Sequence, residues 1–205
     1  MFKVANLGKI GKKKIIISVI IVLILAAGGF FCWQQGREIK GSPNDYVIKE
    51  TTEGKIVENK RAGLIVKVPE GWEAKKVEFE EGAVNFYPLN AEVELREGKI
   101  VLPIKSGCLI QTNVVYKKMD FGQIKEEVKY THYWLGKIAD EFEEITIKNH
   151  PALKNTFDTQ KAGPGIGIYI PIKNKGCAFY LYWGLGEKES CLQEFNKFLE
   201  TVSIK

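Results

Sequence analysis

The chain has 205 residues, room for one folded domain plus attachments, and its 30 basic and 25 acidic residues leave a formal charge of +5. Five of the bases (Lys3, Lys9, Lys12, Lys13, Lys14) precede residue 15, where no acid occurs, so from Gln34 onward 25 bases face 25 acids. An electrically balanced main body is a poor general nucleic-acid binder, whose affinity comes largely from neutralising phosphates, and no nucleic-acid partner is expected.

The first fourteen residues read as a basic cytoplasmic tail. Residues Ile15 to Trp33 then run without a charge, with Ser18 as their only hydroxyl. About 20 apolar helical residues suffice to cross a bilayer, so the segment is expected to be a transmembrane helix anchored in lipid. The lysines place the N-terminus in the cytoplasm, and Phe30, Phe31 and Trp33 suit the outer interface. The expected location is therefore the cell membrane, with a single pass and the C-terminal portion outside. Two rivals remain. Cleavage as a signal peptide would use Ala26-Ala27-Gly28-Gly29, although apolar character continues beyond it. Lipid attachment at Cys32 is disfavoured by Phe30 and Phe31.

Residues 34–53 are polar and read as a linker, with a turn at Gly41-Ser42-Pro43-Asn44-Asp45. A domain over 54–205 follows. Lys55–Glu58 and Gly63–Val68 read as strands, and Leu64, Val66 and Val68 share a face. Pro69-Glu70-Gly71-Trp72 reads as a turn, and Val77–Phe79 with Ala83–Tyr87 as a hairpin around Glu80-Glu81-Gly82. Lys99–Ile104 reads as a short edge strand because Pro103 cannot donate to a ladder. Cys108–Tyr116 alternates, with Cys108, Ile110, Val114 and Tyr116 on one face. Asp120 is placed to cap a helix running to about Phe142, with Phe121, Ile124, Val128, Thr131, Leu135, Ile138 and Phe142 as its apolar stripe. Ile145–Lys148, Ala152–Asp158, Gly165–Ile172 and Cys177–Trp183 read as further strands. A last helix over about 188–201 directs Cys191, Leu192, Phe195, Phe198, Leu199 and Val202 to one side. Strands joined mostly by short turns, with two amphipathic helices, predict an α+β sandwich around an antiparallel sheet.

Gly63–Trp72 (GLIVKVPEGW), Ala83–Pro88, Ile145–Leu153 (ITIKNHPAL) and Phe195–Ile204 (FNKFLETVSI) stand in the order of the PsbP-like family, named for an extrinsic photosystem II subunit. The chain resembles that family over most of residues 55–205. The resemblance implies an antiparallel β-sheet sandwiched by two helices. It also implies a domain that supports a larger assembly without being an enzyme. No metal or chloride-site motif of the family carries over to residues here. Similar anchored domains in bacteria are mostly of unknown function.

The chemistry-bearing residues are few. His132 lies on the flank of the predicted helix stripe and His150 in a predicted turn. Neither belongs to a zinc-ligand spacing, so no metal and no cofactor is expected. None of Ser42, Ser106, Ser190 and Ser203 sits in a nucleophile elbow, and no catalytic residue is assigned. Glu80-Glu81 and Glu143-Glu144 are adjacent acids of the solvated kind. Ala162–Gly167 lacks the Lys-Ser/Thr ending of a phosphate loop and precedes a strand. Among the cysteines outside the anchor, Cys177 and Cys191 stand at opposite ends of a strand about 20 Å long, too far for a bridge. A Cys108–Cys191 disulfide is expected, with three buried thiols as the alternative. Trp72 and Trp183 read as packing residues. Tyr133 and Trp134, off the helix stripe, are the candidate interaction surface. A non-enzymatic, membrane-tethered domain binding a protein or envelope component is the leading expectation. A sensor of a small molecule, metal or cell-wall ligand, with its pocket between sheet and helix, is the second. A hydrolase whose site is invisible in sequence is the third.

Overall fold

The computed structural model describes residues 12–39, 41–77, 83–93, 95–96, 99–100 and 102–205. Two compact units result, one up to Glu38 and one from Ile39 to Lys205. The first is helix α1, Lys12–Ile39. Its described side chains, those of residues 17–30, are all exposed. Among the described residues, no helix is long and apolar enough to cross a membrane. The span expected over Ile15–Trp33 has both of its end side chains outside the described set, and most of the basic tail lies outside it too.

The second unit is α+β, with every strand pairing antiparallel. In chain order its strands are β1 (Tyr46–Thr51), β2 (Gly54–Asn59), β3 (Leu64–Lys67), β4 (Trp72–Lys76), β5 (Ala83–Pro88), β6 (Leu95–Arg96), β7 (Lys99–Ile100) and β8 (Cys108–Val115). Helix α2 (Phe121–Trp134) follows, then β9 (Lys137–Ile147), β10 (His150–Thr159), β11 (Gly163–Ile172) and β12 (Lys175–Trp183). Helix α3 (Lys188–Thr201) and β13 (Ser203–Ile204) close the chain. The single sheet expected from the sequence is divided. Seven strands run β4-β5-β8-β12-β11-β10-β9, four run β1-β2-β3-β13, and β6-β7 form a small hairpin. The Pro69-Glu70-Gly71 turn makes the division: Gly71, at φ +75°, turns the chain out of β3 and into the other sheet at β4.

Alternation along the strands explains the layers. In β12, Cys177, Phe179, Leu181 and Trp183 enter the main core, while Ala178, Tyr180 and Tyr182 face the other way. The main core also takes Val57, Leu64 and Val66 from the four-stranded sheet and Phe195, Phe198 and Leu199 from α3. Thus α3 and the small sheet cover one face of the large sheet. Helix α2 lies over the other face through Ile124 and Val128. Asn59 ties the layers together: its Oδ1 accepts from the Ala62 amide at 2.9 Å and the Tyr116 hydroxyl at 3.0 Å.

Several boundaries differ from the sequence reading. Trp72, read as part of a turn, opens β4. The linker expected over 34–53 is interrupted, because Tyr46 is fully buried and opens β1, which pairs with β2 along its whole length. Helix α2 stops at Trp134 instead of Phe142. Gly136, at φ +73°, returns its amide to the Tyr133 carbonyl, which closes the helix and lets β9 begin at Lys137. Ile138, assigned to the buried stripe, is instead 64% exposed on edge strand β9. Part of the expected Val77–Phe79 hairpin, including Glu80-Glu81-Gly82, lies outside the described residues.

Candidate functional site

The face of the large sheet under α2 is not filled. Between them lies a cavity of about 390 Å³. Helix α2 contributes Ile124 and Val128 from its inner side, with Glu127, Thr131 and His132, and Leu135 follows at its C-cap. The sheet contributes Gln111, Asn113 and Val115 from β8, Tyr169 from β11, and Ala178, Tyr180 and Tyr182 from β12. Each strand presents these residues at every second position, so the cavity floor is the face opposite the main core. Two-residue spacing of small or medium side chains (Asn113, Val115, Ala178) below a helix held by Ile124 and Val128 leaves the space open.

The floor combines apolar walls with a polar centre. Tyr169 and Tyr180 meet edge to face, with ring centroids 5.6 Å apart. Burial pushes the Tyr169 phenol well above its ordinary range and raises Tyr180 as well, so both stay neutral. The Tyr169 hydroxyl and Asn113 Oδ1 are buried without a hydrogen-bond partner. Polar atoms in that condition are costly unless something else satisfies them.

His132 is 4% exposed, although the helical pattern put it on the flank of the apolar stripe. Its Nδ1 lies 3.4 Å from Asp140 Oδ1 on β9, and its ring packs 4.6 Å from that of Phe157. Asp140 also receives Asn155 Nδ2 and lies 3.4 Å from Lys137 Nζ. Burial holds His132 below its ordinary value of 6.5 and outweighs the opposing pull of Asp140. The unfolded chain therefore takes up this proton more readily than the folded one. The neutral ring's contribution to stability is complete above pH 6.5 and is lost as pH falls through the folded value. Urea unfolding from pH 7.5 to 5 should show the wild type losing stability relative to His132→Gln below pH 6.5. A difference between the two that stays flat with pH would count against a buried neutral histidine.

Among the described residues, no group of three or more His, Cys, Asp or Glu side chains comes together as metal ligands. Cys177 borders the cavity although its side chain enters the main core, and burial pushes its thiol up to about 12, which removes it as a nucleophile at neutral pH. His150 opens β10, not a turn, beside a smaller hollow of about 210 Å³ formed with Ile147, Val202 and Ile204.

The other residues singled out in the sequence are placed clearly. Cys108 and Cys191 form a disulfide with their Cα atoms 5.5 Å apart, joining the start of β8 to the first turn of α3. Tyr133 and Trp134 are 72% and 59% exposed, with ring centroids 5.8 Å apart, and Tyr130 meets Trp134 at 6.1 Å. Trp183 is buried and Trp72 packs against the main core. Sequence reading missed Asn113, Tyr169, Tyr180 and Asp140. A usable signal was present in β8, where Leu109, Gln111, Asn113 and Val115 form a second face with polar residues at positions a helix covers.

No family model matches the chain, and no curated protein matches it. Solved structures do. The chain is similar to cyanobacterial PsbP from Synechocystis sp. PCC 6803, with 9% identity, a TM-score of 0.48, and 78% of this chain and 93% of that one covered. It is similar to a Pseudomonas aeruginosa protein of unknown function, with 11% identity, a TM-score of 0.46, and 78% and 97% covered. A Bacteroides thetaiotaomicron protein matches at 12% identity and a TM-score of 0.40, over 70% of this chain and 45% of that one.

Proposed function

We propose that the chain is a membrane-tethered binding protein without catalytic activity, whose domain captures a small ligand in the cavity between α2 and the large sheet. The cavity carries this reading. Ligand sites are concave, largely apolar spaces of about 300–1,000 Å³ with a few convergent polar groups, and the space under α2 has that size and lining. The uncharged run from Ile15 to Trp33 and the five lysines before it support a single-pass anchor with a cytoplasmic N-terminus. Absence of catalysis is favoured because His132 has no serine or activated thiol beside it in the lining.

A thermal-unfolding screen of diverse small molecules against the full chain in lipid nanodiscs tests this. A ligand at 100 times its Kd should add about 2.7 kcal/mol of stability. That gain should vanish in Val128→Phe or Ala178→Leu, each of which places bulk in the cavity. A library that stabilises nothing, or that stabilises the filled variants equally, would remove the reading.

The exposed rings of Tyr130, Tyr133 and Trp134 favour a second reading, a protein or envelope partner docked on the outer side of α2. A partner cross-linked in cells and lost in the double variant Tyr133→Ala, Trp134→Ala would support it.

A further inference from the structure

We infer that the cavity under α2 selects an apolar molecule carrying a protonated amine, and discriminates against one carrying a carboxylate or phosphate. This rests on the cavity being a ligand site, and it follows from what the lining offers. Of its nineteen residues, Glu127 is the only one with a formal charge at neutral pH, and no lysine or arginine is among them. The Glu127 carboxylate, on a side chain 55% exposed, already accepts at 3.1 Å from Nζ of Lys117, a residue outside the lining, so an incoming ammonium would share it. An anion entering this space would leave water without meeting a cation, which is costly.

The interior holds a buried acceptor and a buried hydroxyl that take part in no hydrogen bonds. Asn113 Oδ1 is buried and receives none. The Tyr169 hydroxyl, on a residue 7% exposed, is also without a partner. His132 Nδ1 lies 3.4 Å from Asp140 Oδ1 and is likewise buried without a hydrogen bond. Tyr169, Tyr180 and Tyr182 add three aromatic rings, whose faces attract cations. An ammonium group supplies donors for Asn113 Oδ1 and the Tyr169 oxygen, and a positive charge that suits the ring faces and a lining whose one formal charge is Glu127. The apolar remainder of such a molecule suits Val115, Met119, Ile124 and Val128.

The test uses three molecules of one shape: 4-phenylbutylamine, 4-phenylbutanol and 4-phenylbutanoate. Each is titrated by calorimetry into the full chain in zwitterionic nanodiscs, with empty nanodiscs as the reference. The amine is expected to bind at least tenfold more tightly than the carboxylate, with the alcohol between them. Glu127→Gln should weaken the amine severalfold and leave the alcohol unchanged. A carboxylate that binds as tightly as the amine overturns the amine preference and leaves the cavity reading intact. An alcohol equal to the amine, or an amine indifferent to Glu127→Gln, removes the role of charge. If none of the three binds while library compounds stabilise the chain through the cavity, the amine inference alone is lost. If library compounds fail as well, both readings are lost.

Discussion

Replacing Cys191 with alanine is expected to lower the unfolding midpoint of the domain by roughly 10 °C, the largest single effect anticipated. The bridge to Cys108 closes a loop of 83 residues that contains β8, α2 and β9 to β12. In the chain-entropy account, a crosslink across a loop of that length restricts the unfolded chain by about 4–5 kcal/mol. The bridge also fixes the start of α3, which has no side-chain hydrogen bond at its N-cap Glu187. That carboxylate is engaged elsewhere, accepting from the Gly107 amide at 2.5 Å and the Ser106 hydroxyl at 3.2 Å. Cys108→Ala, Cys191→Ala and the double variant should therefore lose the same stability, since each removes one shared bond. Thermal melts of the three variants beside reduced wild type check this. Equal midpoints with and without the bridge would show that it contributes nothing.

Phe198→Ala should cost about 3–5 kcal/mol, the range for truncating a buried aromatic that leaves a cavity behind. Phe198 is fully buried on α3. Its ring meets Phe86 of β5 edge-on at 4.9 Å and Phe179 of β12 at 6.1 Å, and stacks with Phe195 at 6.4 Å. Three elements thus converge on one side chain, and no neighbour can close the gap without leaving its own contacts. Denaturant unfolding should give a lower midpoint with an unchanged slope, the mark of lost stability without a changed unfolded state. Phe121→Ala, at the half-exposed start of α2, should cost far less. Similar losses at the two positions would contradict a core centred on α3.

The sequence was informative where one face of an element is buried and the other is not. Alternation in Gly63–Val68 and Cys108–Tyr116, and the spacing of Cys191, Phe195, Phe198 and Leu199, each pointed to the side that enters the core. The disulfide was legible for the same reason, because both cysteines shared a face with core residues. Helix α2 was misread because apolar residues at helical spacing continue through Ile138 and Phe142. Gly136 outweighs that pattern by ending the helix in a left-handed conformation. Tyr46 was missed because its strand has only one further inward residue, Ile48, too short an alternation to stand out from the polar stretch around it. A space between sheet and helix was among the alternatives read from the sequence, but the residues that line it were not. Its lining comes from β8, β11, β12 and α2, which are separated by long stretches of chain, and an unfilled space depends on the packing distance between layers, not on any local motif.

The most direct test of the cavity as a ligand site is isotope-filtered NMR of 4-phenylbutylamine bound to the full chain in nanodiscs. The account predicts nuclear Overhauser contacts from the ligand to the methyl groups of Val128 and Ala178 and to the ring of Tyr169, all lost in Ala178→Leu. Contacts confined to the exposed rings of Tyr133 and Trp134, with none to the residues beneath α2, would contradict it.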